Sequence, residues 1–149
     1  MASWQPRTQE DQMLHAYAAK RGGATFAEVP IGGPGGPAEW PSGCTIRRLD
    51  GVRIANSRRA QGIVRWNRHE SDAFITAIHH PGAVVELIEV KPRLNRSAIG
   101  QMVAGRAMFG RQYRVTIDRS VIVCAQSDAA LAWVCGQEGI TVEVIRGGR

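Results

Sequence analysis

Two residues of opposite charge, Glu89 and Lys91, end the apolar segment AVVELIEVK at residues 83–91. The segment predicts a β-strand, and strand side chains alternate between faces, so both charges point the same way, about 7 Å apart. A carboxylate at such a position can bind a hard divalent cation such as Mg²⁺, which prefers oxygen ligands. The ammonium group can orient a water molecule or stabilise negative charge on a phosphate. The pair therefore indicates metal-assisted phosphate chemistry, and an ordinary ion pair on one strand face is the simpler alternative.

A single carboxylate binds Mg²⁺ weakly, so such a site needs a second acid from another element. Asp50 lies within the apolar segment CTIRRLDGVRI, where a buried unpaired charge would be costly. Asp72, in ESDAFI, is the other candidate, although its position is typical of the start of a helix. We prefer Asp50, and a salt bridge from Asp50 to a neighbouring arginine remains open at this point.

These residues resemble the core motif of the PD-(D/E)XK phosphodiesterase superfamily, which has the restriction-endonuclease-like fold. Glu89-Val90-Lys91 resembles the ExK part of the motif, and Asp50 in RRLDGVRI resembles the acid of the preceding strand. The predicted order of elements is also similar to that family's core, from about residue 8 to residue 145. The resemblance implies that Asp50 and Glu89 bind Mg²⁺, with Mn²⁺ as a substitute, that the Val90 carbonyl completes the metal shell, and that Lys91 positions the attacking water.

The resemblance also implies two assisting residues and leaves two departures from the family pattern. Glu10, in the first helix, and Gln101, early in the helix after the ExK strand, match polar residues that assist catalysis in the family. No proline precedes Asp50, which follows Arg48-Leu49. In addition, Glu89 lies 39 residues after Asp50, a long interval that implies an inserted helix.

The charge of the chain points to nucleic acid as its partner. There are 19 lysines and arginines against 13 acidic residues, a formal net charge of +6. A basic domain of this size commonly binds phosphate backbones. Arg93 and Arg96 follow the ExK strand, where they could contact backbone phosphates, and Arg48 is a further candidate. Trp40 lies in a segment rich in glycine and proline, and we expect it to stack on a base.

Hydrophobic periodicity and turn residues predict alternating helices and strands. TQEDQMLHAYAAKRGG predicts a helix with Thr8 as N-cap, Asp11 three residues later in a capping-box spacing, and Gly22-Gly23 at its end. Further strands are predicted at 24–31, 44–54, 62–66, 113–126 and 140–145. Further helices are predicted at 69–82, 97–112 and 127–139, and we expect these three helices to start at Ser71, Ser97 and Ser127. The pattern predicts the α/β class, with a central mixed β-sheet flanked by helices. The resemblance implies that this sheet has the restriction-endonuclease-like arrangement.

We expect residues 1–149 to form a single domain, which the resemblance implies is nuclease-like. We also expect frayed tails at 1–7 and 146–149 and a glycine- and proline-rich loop at 32–43. Three cysteines form no CxxC pair, no apolar leader opens the sequence, and no apolar run has membrane-spanning length. We therefore expect a cytoplasmic protein without membrane contact.

The leading hypothesis is a Mg²⁺-dependent endonuclease or phosphodiesterase, a hydrolase acting on DNA. The alternative is a catalytically inactive nucleic-acid-binding or assembly domain on the same fold. The sequence does not separate DNA from RNA as the substrate, or a monomer from a homodimer.

Overall fold

The computed structural model of the chain describes residues 4–33, 40–57 and 62–146. Within these ranges, four helices and six strands follow one another in the order α1, β1–β3, α2, β4, α3, β5, α4, β6. Their bounds are α1 Gln9–Arg21, β1 Ala24–Ile31, β2 Arg47–Ile54, β3 Gly62–Arg65, α2 Ser71–Ile78, β4 Val85–Arg93, α3 Arg96–Tyr113, β5 Arg119–Gln126, α4 Ala129–Gln137 and β6 Ile140–Val144. A single 3₁₀ turn at Arg68–Glu70 leads into α2.

The six strands form one mixed sheet in the order β3-β1-β2-β4-β5-β6. Strand β2 is antiparallel to both β1 and β4, whereas β3 runs parallel to β1, and β4, β5 and β6 run parallel to one another. The predicted α/β fold with a central mixed sheet flanked by helices is therefore confirmed. β3 and α2 occupy the long interval between Asp50 and Glu89, where an inserted helix was expected.

Each face of the sheet is covered by helices. Helix α1 packs Met13, Leu14 and Tyr17 against one face of β4 and β5. Phe74 of α2 and Phe109 of α3 belong to the larger core on the opposite face, together with Cys135 of α4. Strand β4 lies between these two layers, and its first six residues are buried.

The start of α1 agrees with the sequence, whereas the other predicted N-caps are wrong. Thr8 and Asp11 form the predicted capping box. Asn95 caps α3, two residues before the predicted Ser97, and Asp128 caps α4, one residue after the predicted Ser127. Asn67 accepts two backbone N–H groups at the 3₁₀ turn before α2, and Ser71 does not cap that helix. Asparagine and aspartate are at least as good as serine in this role, so a neighbouring one can take the position.

Three further predicted boundaries change or fall partly outside the described residues. Strand β5 begins at Arg119, because α3 continues to Tyr113 and ends with Arg114 in the left-handed conformation. Within the expected frayed tail at 1–7, the Trp4 ring stacks on His15 and the Arg7 amide donates to Asp11. The parts of the predicted loop that the structure describes, 32–33 and 40–43, are neither helix nor strand. The rest of the predicted tails and loop falls on residues 1–3, 34–39 and 147–149, which lie outside the described residues.

Among the residues that the structure describes, no helix is long and apolar enough to cross a membrane.

Candidate metal and nuclease site

Asp50 lies where strand β2 separates from strand β4. The ladder between these strands runs from Ile54↔Val85 to Gly51↔Ile88. Asp50 is the next residue of β2 beyond this ladder, and its Oδ2 accepts from the Val90 amide at 2.7 Å. The carboxylate therefore takes the place of a backbone carbonyl at the point where the two strands part.

Glu89 lies beside Asp50 and is almost completely buried, with 5% of its surface exposed. Burial is the main cause that raises the pKa of Glu89, to about 9, and the charge of Asp50 and a hydrogen bond between the two carboxyl groups add to it. Lys91 lowers this pKa and Glu10 raises it, but neither effect is the largest. Glu89 therefore keeps its proton at neutral pH, and this proton lies in the hydrogen bond to the Asp50 carboxylate.

Within the described ranges, neither Asp50 nor Glu89 forms a salt bridge of the kind that holds a structural acid. Among the described residues, none of the ion pairs within 4 Å includes either carboxylate. Two acids in contact inside a protein repel each other once both are ionised. A divalent cation would relieve this repulsion and take the place of the shared proton.

Glu86, three residues earlier on the same strand, shows the contrasting arrangement on the opposite face of the sheet. Its carboxylate accepts from Arg53 Nε at 3.0 Å and Arg53 Nη2 at 3.2 Å, and from the Tyr17 hydroxyl at 2.8 Å. Arg119 Nε lies 3.6 Å from the same carboxylate. Glu86 is thus a paired structural acid, a role that sequence reasoning missed because it depends on the register that sets Arg53 opposite Glu86.

Lys91 and Gln101 face the same cavity as the two acids. This cavity, of about 380 Å³, lies between the ends of β2 and β4 and the first turns of α3. Its charged and polar lining consists of Arg47, Arg48, Asp50, Glu89, Lys91 and Gln101. The structure therefore places Lys91 and Gln101 at the same cavity as the two carboxylates, and their catalytic roles stay predictions. Arg47 was missed, although its position beside Arg48 at the exposed start of β2 was a usable signal.

A second cavity, of about 630 Å³, meets the first at Asp50. It lies by the start of α1, and Glu10, Asp50 and Val90 are among the residues that line it. The N–H and C=O of one strand residue point to the same side, so the Val90 carbonyl faces the same gap as its amide. The positions predicted for Glu10 and Val90 thus lie at the candidate site, with Asp50 between the two cavities.

The donor set offered to a cation is two carboxylates and a backbone carbonyl. No group of three or more His, Cys, Asp or Glu side chains suited to a metal occurs in the described parts of the chain. Oxygen donors of this kind fit Mg²⁺, which commonly keeps several waters and uses only one or two carboxylates. Asp72 is exposed in the first turn of α2 and is not among the described residues that line either cavity.

Three of the arginines predicted to contact nucleic acid are exposed on the surface. Arg93, at the end of β4, and Arg96, at the start of α3, are exposed beyond Lys91. Arg48 is also exposed, and its Nη1 donates to the Glu28 carbonyl at 3.3 Å. All three side chains are available to solvent, as a phosphate contact requires.

Trp40 contacts other protein groups. Its indole N–H donates to Gln112 Oε1 at 3.1 Å, and the Arg111 guanidinium lies over the ring, 4.4 Å from its centroid. A base could therefore stack only on the opposite face of this indole, and the predicted base contact stays a prediction.

Comparisons with known proteins leave the family undetermined. No family model matches the chain, and no curated protein matches it. Among solved structures, EndoMS in its apo form is similar over 97% of this chain and 98% of its own chain, with 10% sequence identity and a TM-score of 0.39. A likeness this distant carries no argument about what the chain does, so function must be inferred from the site.

Proposed function

We propose that the chain is a metal-dependent nuclease that hydrolyses phosphodiester bonds in DNA. The observation that supports this most is the buried Glu89 carboxyl group beside the half-buried Asp50. Burial and Asp50 raise the pKa of Glu89 to about 9, and both acids line the same cavity as Lys91. A proton-sharing acid pair of this kind destabilises a protein unless something occupies it. Perturbed acids in a cleft are typical of functional sites.

Asp50 and Glu89 would hold a Mg²⁺ or Mn²⁺ ion, together with the carbonyl of Val90. A bound ion of this kind makes water more acidic and stabilises negative charge on phosphate oxygens. Glu89 must give up its proton before it can bind the ion, so higher pH favours the loaded site. The alternation of the strand supports this assignment, because it directs both Glu89 and Lys91 towards α3.

Lys91 would direct the attacking water and stabilise charge on the phosphate. Its ammonium is half-buried in the cavity that contains the acids, so its interaction with a phosphate is screened less than on an open surface. Gln101 can donate or accept a hydrogen bond at the same cavity. Glu10, on the far side of Asp50, would act on the site through its charge.

Exposed arginines would hold the nucleic-acid backbone on each side of the cavity. Arg47 and Arg48 lie at the β2 side, and Arg93 and Arg96 follow Lys91 at the β4 side. Guanidinium groups bind phosphate in a forked geometry but read no base sequence. The proposal therefore includes no sequence preference.

The proposal is tested by cleavage assays on labelled duplex DNA, single-stranded DNA, branched DNA and RNA, each with Mg²⁺, Mn²⁺ or EDTA. We expect cleavage of a DNA form that requires metal and falls by at least about 100-fold in Asp50→Asn and Glu89→Gln. Glu138→Gln is the matched control, because Glu138 is an exposed acid paired with Arg106. Circular dichroism and unfolding curves verify that each variant is folded.

The same assay distinguishes the inactive binding domain. Salt-sensitive DNA binding that metal does not change, without cleavage of any substrate, would contradict the nuclease proposal and favour the alternative. Cleavage of RNA alone would support the nuclease activity but contradict DNA as the substrate.

A further inference from the structure

Glu28, in the middle of strand β1, has an unusual backbone conformation. Its φ is 59°, in the left-handed region that side chains other than glycine rarely adopt. Arg114 is the other non-glycine residue with positive φ in the described parts of the chain, and it ends helix α3, where this conformation is common. Glu28 has no such explanation from its place in a strand.

The alternation of side chains is interrupted at Glu28 and at the same level of β2. Phe26 pairs with Val52 and Val29 pairs with Leu49, and all four side chains belong to the same buried core. Strict alternation would put residues three apart on opposite faces. Both strands therefore switch faces between these two pairs.

Glu28 and Asp50 are the residues at which the switch occurs. Ala27 packs on the α1 side of the sheet and pairs with Gly51, and the next position would set Glu28 opposite Asp50, which do not pair. Because Asp50 is released from the regular ladder here, its carboxylate can reach the Val90 amide. The turn in the backbone at Glu28 and the orientation of Asp50 thus belong to one distortion.

The backbone and the carboxylate of Glu28 contact different arginines. Its carbonyl accepts from Arg48 Nη1 at 3.3 Å, which holds the turned backbone. Its carboxylate pairs with Arg65 Nε at 2.5 Å, but both side chains are largely exposed, at 42% and 63%. An exposed ion pair adds little stability. The carboxylate therefore does not account for the strained backbone.

We propose that Glu28 is a positioning residue, whose left-handed backbone switches the faces of β1 and β2 together and turns Asp50 onto the amide of Val90. The consequence for cleavage rests on the proposed function, whereas the orientation of Asp50 can be measured without metal or substrate. Backbone strain at such a site is a known way of fixing a reactive group. The conformation at position 28, and not its charge, should control Asp50.

The experiment measures hydrogen exchange and the chemical shift of the Val90 amide in the metal-free protein, with Asp50→Ala as the reference for loss of the bond. We expect Glu28→Gly and Glu28→Gln to stay within about twofold of the parent exchange rate. Glycine adopts positive φ freely, and glutamine keeps the side-chain shape without charge. Glu28→Val, a β-branched residue that disfavours positive φ, should speed exchange at least about tenfold and move the shift towards that of Asp50→Ala. Glu28→Ala should fall between these limits and serves if the valine variant does not fold.

Ile54→Val, which weakens the core of β2 away from Asp50, is the control for simple destabilisation and should leave the Val90 amide unchanged. Parent-like protection of Val90 in folded Glu28→Val and Glu28→Ala would overturn the proposal. Loss of protection in Glu28→Gly or Glu28→Gln would overturn it as well, since the carboxylate would then be the cause. If the chain cuts DNA, cleavage should follow the same order. If no cleavage occurs, the amide measurement still decides the role of Glu28.

Discussion

The buried Glu89, beside Asp50, makes the stability of the metal-free protein depend on pH in a specific way. The ordinary pKa of a glutamate is 4.5, whereas burial and Asp50 raise that of Glu89 to about 9. Between these values the folded protein keeps a proton that the unfolded chain has released, so its free energy of unfolding falls as pH rises. In the Glu89→Gln variant this side chain cannot ionise, so its free energy of unfolding should not fall in this way.

The size of the effect follows from one proton per folded molecule. Each pH unit in this window lowers the free energy of unfolding by at most about 1.4 kcal/mol, so the three units from pH 5 to pH 8 give at most about 4 kcal/mol. We expect Glu89→Gln to match the parent within about 1 kcal/mol at pH 5 and to exceed its stability clearly by pH 8. Ligand sites commonly trade stability for function in this way.

Urea unfolding at pH 5, 6.5 and 8, with EDTA present throughout, measures the difference between variant and parent. Because variant and parent differ at position 89 alone, the contributions of groups far from the pair cancel in this difference. Glu138→Gln, at an exposed acid, should show a difference that does not change with pH. A Glu89→Gln difference that is equally flat would refute the shared-proton interpretation of the pair.

Three further predictions concern neighbouring residues. Lys91→Met should lower the cleavage rate by about 100- to 1,000-fold with metal affinity retained, because it removes one charge-stabilising donor, and parallel rate and metal-binding measurements check this. Arg96→Gln should reduce the slope of log DNA affinity against log salt by about 0.9 if it contacts one phosphate, whereas Arg106→Gln should leave that slope unchanged in the same titration. Arg53→Met should cost about 3–5 kcal/mol in urea unfolding, since it leaves the buried Glu86 carboxylate without its main partner, and a loss below about 1 kcal/mol would contradict that role.

Local patterns were sufficient to find the main elements and the central pair of charges. The apolar run before Glu89 and Lys91 could only be a buried strand, and alternation then set both on one face. Asp50 could be preferred over Asp72 because an acid inside an apolar strand needs a partner, and the structure sets it beside Glu89. These inferences depend on the periodicity of one or two segments.

Features that depend on register or on backbone conformation could not be found in this way. The pairing of Glu86 with Arg53 requires the alignment of β2 with β4, and no local pattern fixes that alignment. The positive φ of Glu28 leaves no mark in the sequence, because glycine or asparagine would be the usual signal. Boundaries shifted where two polar residues compete for one cap, as Asn95 and Ser97 do before α3.

Direct measurement of metal binding tests whether Asp50 and Glu89 bind one divalent cation in place of the proton on Glu89. Isothermal titration calorimetry with Mn²⁺ at pH 7.5, in two buffers of different ionisation enthalpy, measures both the affinity and the number of protons released. We predict one site, release of close to one proton per ion, and loss of binding in Asp50→Asn and Glu89→Gln but not in Glu138→Gln. Binding that releases no proton, or that survives in both site variants, would show that the ion does not replace the Glu89 proton at this pair.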